Sequence, residues 1–251
     1  MKYKRILLKL SGGALGGSNG ENFSKEKLEN ITNQIIAAKN KGIEVAVLVG
    51  GGNIFRGRTA EEWNIERVEA DNIGMMATII NSLMLRGAIS SKTDDDVRVM
   101  TSIPVPSVAE PYIRLKAKKH LDKGRIIIFG GGLGQPFVTT DYPSVQRAIE
   151  IDADIVLMAK SGANGVYTAD PRKDANAKRY KNLTYDDVIS QNLQVADQSS
   201  FVLARDYNMP LYVFDFDEPD AISKVCNGEL IGTYVGSDCE TELYWKQKQF
   251  S

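Results

Sequence analysis

Short unbroken apolar runs recur along the chain, separated by longer stretches in which apolar residues return every three or four positions. Arg5 to Leu10, Glu44 to Val49, Val97 to Thr101, Arg125 to Phe129, Ile155 to Met158 and Leu211 to Phe214 read as strands. Lys25 to Lys41 places Leu28, Ile31, Ile35 and Ala38 at helical spacing, and Gly42 follows as a C-terminal cap. Asp71 to Gly87 carries Ile73, Met76, Ile80 and Met84 on one face, which is expected to lie against the core. Helical patterns also lie near Ala109 to Leu121, Tyr142 to Ile151 and Asp197 to Asn208. Strands that are apolar on both sides must be covered on both faces. Their alternation with helices predicts an α/β fold with a mostly parallel central sheet and helices on both faces. No repeat and no Pro- or Ser-rich linker divides the sequence, so one domain is expected over residues 1–251. Residues 237–251 form a polar tail in which Leu243, Tyr244 and Trp245 offer anchors.

Composition narrows the functional classes. The 251 residues hold 31 Lys and Arg against 32 Asp and Glu, a net charge of −1 that calls for neither nucleic acid nor an anionic membrane as partner. Cys226 and Cys239 are too few for a disulfide framework, and the single His120 leaves no histidine cluster for zinc. A Ser-His-Asp triad would have to use His120 as its base. The apolar runs are short for a membrane span, and Met1 leads directly into Ile6-Leu7-Leu8 without the long apolar core of a signal peptide, so a cytoplasmic protein is expected.

Ligands of open α/β sheets bind beyond the carboxyl ends of the strands. Three strands here run into glycine: Ser11-Gly12-Gly13, Gly50-Gly51-Gly52, and Gly130-Gly131-Gly132 with Gly134 beyond. Glycine lets backbone N–H groups come close to phosphate, and a following helix start adds favourable dipole. One such cluster is ordinary turn chemistry; three at one sheet edge suggest a site for several phosphates. The P-loop and dinucleotide fingerprints are both missing, which disfavours those classes. Lys9 interrupts an otherwise apolar strand, either as a snorkelling lysine or as a cation for transferred phosphoryl oxygens. Arg56, between Phe55 and Gly57, suits a phosphate clamp. Asp71 and Asp141 each stand at a helix start, where an N-cap is the simpler reading, and Asp170 reads as a turn residue.

Longer segments carry a resemblance: Arg5-Ile6-Leu7-Leu8-Lys9-Leu10-Ser11-Gly12, Gly50-Gly51-Gly52-Asn53-Ile54-Phe55-Arg56-Gly57, Asp71-Asn72-Ile73-Gly74-Met75-Met76-Ala77-Thr78, Pro136-Phe137-Val138-Thr139-Thr140-Asp141 and Gly165-Val166-Tyr167-Thr168-Ala169-Asp170-Pro171. In this order the chain resembles the bacterial uridylate kinases of the amino acid kinase superfamily, over roughly residues 3 to 235. The resemblance implies a three-layer sandwich that transfers the γ-phosphate of ATP, with Mg²⁺, to UMP in pyrimidine nucleotide biosynthesis. It implies that Lys9 stabilises charge on the transferring group, that Arg56 clamps phosphate, and that Asp141 orients Lys9. Leu10, Ser11, Gly12, Gly52, Ser161, Tyr167 and Asp170 would join Lys9 and Arg56 around ATP. Gly51 would hold the UMP phosphate and Asp71 the ribose, with Leu133, Gly134, Gln135, Pro136, Phe137, Val138, Thr139 and Thr140 around the uracil and phosphate. No side chain is assigned to the metal.

The resemblance also implies a homohexamer and feedback inhibition by UTP; the helices at Lys25 to Lys41 and Asp71 to Gly87 are candidate interface elements, with core the favoured reading of their apolar faces. The sequence departs from the family where Leu133-Gly134-Gln135-Pro136 replaces Thr-Gly-Asn-Pro, where Gly13 replaces Glu, where Gly20-Glu21-Asn22 replaces Gly-Phe-Gly, and where Asn164 replaces Asp. The competing readings are a sister kinase acting on a carboxylate or carbamate, and a non-catalytic nucleotide sensor on the same fold.

Overall fold

The computed structural model describes residues 1–17, 20–193 and 196–244. In chain order, β1 (Arg5–Leu10) runs into a 3-10 turn at Gly12–Ala14, then α1 (Lys25–Asn40), β2 (Glu44–Val49), α2 (Gly57–Glu62) and α3 (Arg67–Ser90). β3 (Val97–Thr101), β4 (Glu110–Pro111), α4 (Arg114–Asp122), β5 (Ile126–Gly130), α5 (Asp141–Glu150) and β6 (Ile155–Lys160) follow. The last part holds β7 (Tyr180–Thr184), α6 (Tyr185–Ser190), α7 (Gln198–Asp206), β8 (Leu211–Asp215), α8 (Ala221–Cys226), β9 (Thr233–Gly236) and β10 (Glu242–Leu243). Among the described residues these strands form one sheet in the order β10-β7-β9-β8-β6-β1-β2-β5-β3-β4. Strands β8, β6, β1, β2, β5, β3 and β4 run parallel. Among the described strands, β8 with β9 and β10 with β7 pair antiparallel.

The two-residue period of a strand sorts the core into two layers. Ile6, Leu8 and Leu10 of β1 enter one apolar cluster with Ile31 and Ile35 of α1, Leu85 and Ile89 of α3, and Ile222 of α8. Leu7 points the other way, into a cluster with Leu121 of α4, Val145 and Ala148 of α5, and Phe201 of α7. Lys9 shares the parity of Leu7, so it faces the α5 layer. Helix α1 starts at Ser24, whose hydroxyl accepts from the Lys27 N–H at 3.4 Å, and ends before Gly42, which takes φ +83°.

The structure corrects several expectations. The helix expected over Ala109 to Leu121 begins only at Arg114, because Glu110–Pro111 pairs with β3 as an edge strand. Proline lacks the N–H that a helix interior needs but is accommodated at an edge. Helix α3 buries Met75, Ile79, Leu85 and Ile89, whereas Ile73, Met76, Ile80 and Met84, expected on the core face, are each 39–47% exposed. The helix is apolar on both sides, so periodicity could not choose between them. By length and hydropathy α3 is also long and apolar enough to cross a membrane; here it packs on β5 and β3 and carries Arg67, Glu69, Asp71 and Arg86. In the tail, Leu243 packs on the second cluster and Arg179 lies 4.3 Å over the Tyr244 ring, while Trp245 is outside the described residues.

Candidate active site

Because β6, β1, β2 and β5 are parallel neighbours, their carboxyl ends deliver four loops to one edge of the sheet. The loops after β1 and β2 press together. A Cβ on Gly12 would stand 2.3 Å from the Gly52 backbone nitrogen, and one on Gly51 would stand 2.7 Å from the Gly74 carbonyl oxygen of α3. Only glycine allows that approach. Asn81, fully buried on α3, donates to the Gly50 carbonyl at 2.6 Å and to Asn53 Oδ1 at 2.6 Å, fixing the second loop from below.

Lys9 and Asp141 meet at the centre of this edge. Lys9 Nζ lies 2.5 Å from Asp141 Oδ1, with both side chains largely buried, a close ion pair. Thr140, not Asp141, is the N-cap residue of α5, so the capping alternative for Asp141 falls away. Burial pushes the Asp141 carboxyl upward, but the cations of Lys9 and Lys160 outweigh it and hold the group below the usual carboxylate range. The Asp197 N–H donates to Asp141 Oδ2 at 3.3 Å, and Thr139 Oγ1 hydrogen-bonds the Asp197 carboxylate.

Two clefts open near this pair, which like Gly12 lines neither: Thr140, next to Asp141, lines one, and Lys160, whose charge acts on Asp141, lines the other. One, of about 680 Å³, is lined by Gly51, Gly52, Arg56, Asp71, Leu133, Gln135, Val138, Thr139 and Thr140. The other, of about 830 Å³, is lined by Ser11, Lys160, Ser161, Tyr167 and Asp170. Gly52 and Arg56, which the resemblance assigns to ATP, thus line the same cleft as the expected UMP residues. Arg56 Nε donates to the Gly52 carbonyl at 2.6 Å. Asp71 sits inside α3, whose N-cap residue is Glu66, so it caps nothing; its Oδ2 accepts from Arg67 Nε at 2.9 Å and from the Phe137 N–H at 2.8 Å. Phe137 itself is exposed at φ +68°, and with Gly134 and Pro136 it belongs to the loop bordering the first cleft. Leu10 lines neither cleft: its side chain is core, and its carbonyl accepts from the Gly50 N–H at 2.8 Å. Ser161 Oγ donates to Asp217 at 2.7 Å, and the Tyr167 hydroxyl donates to Asn164 Oδ1 at 2.5 Å.

Sequence reasoning missed two charged residues here. Lys160 ends the apolar strand β6 as Lys9 nearly ends β1, so the same interrupted-strand signal was available. Burial and the nearby Lys9 cation push its ammonium below the ordinary lysine value, against the pull of Asp141 and Asp197. Asp197 offers no such signal, because an Asp before a helix reads as a cap. His120 lies away from the edge, at the amino end of β5, with Nε2 3.1 Å from Glu110 and Nδ1 2.7 Å from Arg125. Among the described residues no group of three or more His, Cys, Asp or Glu is placed to hold a metal by protein ligands alone.

The model of the amino acid kinase family matches residues 4–215. The chain belongs to the amino acid kinase family. Within it, the chain is 52% identical over 239 residues to the uridylate kinase of Frankia casuarinae, covering 95% of this chain and 92% of that protein. It is 45% identical over 238 residues to the uridylate kinase of Limosilactobacillus reuteri, covering 95% and 99%. Among solved structures it resembles the UMP kinase from Bacillus anthracis, with a TM-score of 0.95 and 58% identity over 98% of this chain and all of that one. The α/β architecture expected from the alternating pattern is the architecture of this family.

Proposed function

We propose that the two clefts hold the two substrates of one phosphoryl transfer, joined at Lys9 and Asp141. The reaction moves the γ-phosphate of ATP to UMP and gives UDP and ADP, a step of pyrimidine nucleotide synthesis, as the names of the similar proteins indicate. The cleft with Gly51, Arg56, Asp71 and Gln135 receives UMP, and the cleft with Ser11, Ser161, Tyr167 and Asp170 receives ATP. A phosphate monoester loses its second proton at a pH of about 6, so the UMP phosphate is already a nucleophile at neutral pH. Chemistry of this kind rests on alignment and on neutralising charge. Lys9 and Lys160 supply cations at the junction, glycine N–H groups line the path, and Asp141 keeps Lys9 aimed at the transferring group.

ATP-dependent transfer calls for a divalent cation, and Mg²⁺ is our assignment. A site whose carboxylates are few and whose donors are mostly N–H and ammonium groups fits a metal carried by the nucleotide's own oxygens and water. Asp141 and Asp197 are the nearest carboxylates at the junction. A divalent cation held there would supply positive charge for the phosphate oxygens. Assembly into a homohexamer, inhibition by UTP and a cytoplasmic location belong to the same proposal. The exposed apolar stripe of Ile73, Met76, Ile80 and Met84 supports the assembly.

The observation that carries the reading is the buried Lys9–Asp141 pair at the glycine-lined sheet edge, whose neighbours Thr140 on one side and Ser11 and Lys160 on the other line the two clefts. ADP release measured with UMP, CMP, AMP, aspartate, glutamate or carbamate offered separately tests it. UMP should support the fastest turnover. Turnover only with a carboxylate or carbamate would place the chain with a sister activity, and nucleotide binding without turnover would make it a sensor.

A further inference from the structure

The loop bordering the first cleft rests on a part-buried polar chain that runs back through Ser102 to Arg147 of α5. Gly131, Gly132 and Gly134 all take positive φ, of +79°, +54° and +76°. The loop has one internal backbone bond, Gly134 N–H to the Gly131 carbonyl at 2.8 Å, and its three glycines bring no side chains to hold it. Ser102, just past β3, lies directly beneath it. A Cβ on Gly131 would be 3.3 Å from the Ser102 nitrogen, and one on Gly134 would be 3.2 Å from the Ser102 Cβ. Ser102 Oγ donates to the Gly132 carbonyl at 2.7 Å. The same oxygen accepts from Arg147 Nη2 at 3.0 Å.

That second bond decides what the hydroxyl does. A serine hydroxyl has one proton and rotates freely unless its lone pairs are engaged. With Arg147 donating to Oγ, the serine proton is directed to Gly132. Arg147 is itself immobilised: only 6% exposed, it gives Nη1 to Glu150 Oε2 at 2.6 Å, and its guanidinium lies 3.7 Å over the Tyr112 ring. The Tyr112 hydroxyl donates to the same Glu150 oxygen at 2.5 Å. Arg147 stands on α5, the helix whose first residue is Asp141.

We infer that Arg147 and Ser102 are positioning residues that set the height of the Gly131–Gly134 turn, and with it Leu133 and Gln135, for recognition of the pyrimidine base. The inference rests on the assignment of this cleft to UMP. Neither residue touches substrate; Arg147 acts through the Ser102 hydroxyl, and Ser102 acts through the Gly132 carbonyl. Lysine at position 147 would keep a cation beside Glu150 but lacks the planar fork that reaches Glu150 and Ser102 together.

The test is steady-state kinetics of the full chain with Ser102→Ala, Arg147→Lys and the double variant, using UMP and CMP as acceptors. Ser102→Ala should raise the KM for UMP by about 10-fold and narrow the UMP-to-CMP preference by a similar factor, while leaving the KM for ATP unchanged. Arg147→Lys should move the same parameters in the same direction. The double variant should be no worse than Ser102→Ala, because two residues acting in series do not add. An unchanged UMP KM and selectivity in folded Ser102→Ala overturns the inference. So do an equal loss in the ATP KM and an additive double variant. If Arg147→Lys fails to fold, the Ser102→Ala split decides alone. Wild-type protein without turnover of UMP would instead remove the reading of the cleft itself, which separates the two failures.

Discussion

Lys9 is buried in the α5 layer because its strand position has the parity of Leu7, and a buried ammonium needs a partner, which Asp141 supplies at 2.5 Å. If the Lys9 cation acts mainly on the transferring phosphoryl group, Lys9→Ala should lower kcat by about 100-fold or more, with a much smaller change in UMP affinity by calorimetry. Asp141→Asn should follow it by lowering kcat, since the amide no longer holds Lys9. Asp71→Asn should raise the KM for UMP with kcat nearly kept. Equal, small effects of both Asn variants would show that neither carboxylate has its assigned role. Lys160 predicts a pH effect. Its ammonium loses its proton at lower pH than an ordinary lysine, because burial and Lys9 disfavour the charge more than Asp141 and Asp197 favour it. Phosphate binding that uses this charge weakens as pH rises through the depressed value, so kcat/KM for ATP should fall on the alkaline side below the ordinary lysine range. Lys160→Arg keeps its charge throughout and should move that limb upward. A limb that stays in place belongs to another group.

At the scale of elements, α3 shows what periodicity can and cannot reveal. Its existence was legible from Ile73, Met76, Ile80 and Met84, yet its inward face was not. That face carries Thr78 and Ser82 because the glycine loops approach it closely. The Gly131 N–H donates to Thr78 Oγ1 at 2.7 Å, and a Cβ on Gly130 would meet Ser82 Oγ at 2.8 Å. Small hydroxyl residues there look polar in sequence but are buried. The exposed stripe then yields a prediction: Met76→Glu with Ile80→Glu should reduce the assembly mass in light scattering while leaving the circular dichroism unchanged. A mass equal to wild type would assign the stripe no role in association. Close approach also separates two neighbouring glycines. Gly51→Ala should cost about 1–3 kcal/mol in urea unfolding, because its Cβ meets the α3 backbone. Gly52→Ala has nothing within 4 Å of its Cβ and should stay within about 0.5 kcal/mol of wild type. Equal losses would mean that the loop does not bear on α3 as described.

Across the whole molecule, the parallel centre was readable and the periphery was not. Strands β1, β2, β3, β5, β6 and β8 are buried runs of apolar residues that no other element explains. Strands β4 and β10 have two residues each, and β7 reads Tyr-Lys-Asn-Leu-Thr, so each owes its pairing to a neighbour rather than to its own pattern. The site was legible as glycine clusters at strand ends because close packing of loops leaves no other residue possible at positions such as Gly12. Lys160 carried the same interrupted-strand signal as Lys9, whereas Asp197 and the Arg147–Ser102 chain carried none, since their meaning depends on which elements become neighbours. Phosphoryl transfer between the two clefts of one chain is expected to depend on the Lys9–Asp141 junction. The decisive measurement follows label from γ-labelled ATP with UMP present, in wild type and in Lys9→Ala. Wild type should place the label in UDP, and Lys9→Ala, still binding UMP, should transfer it about 100-fold more slowly or worse. Label that passes only to water, or a Lys9→Ala protein that transfers at the wild-type rate, would contradict that expectation.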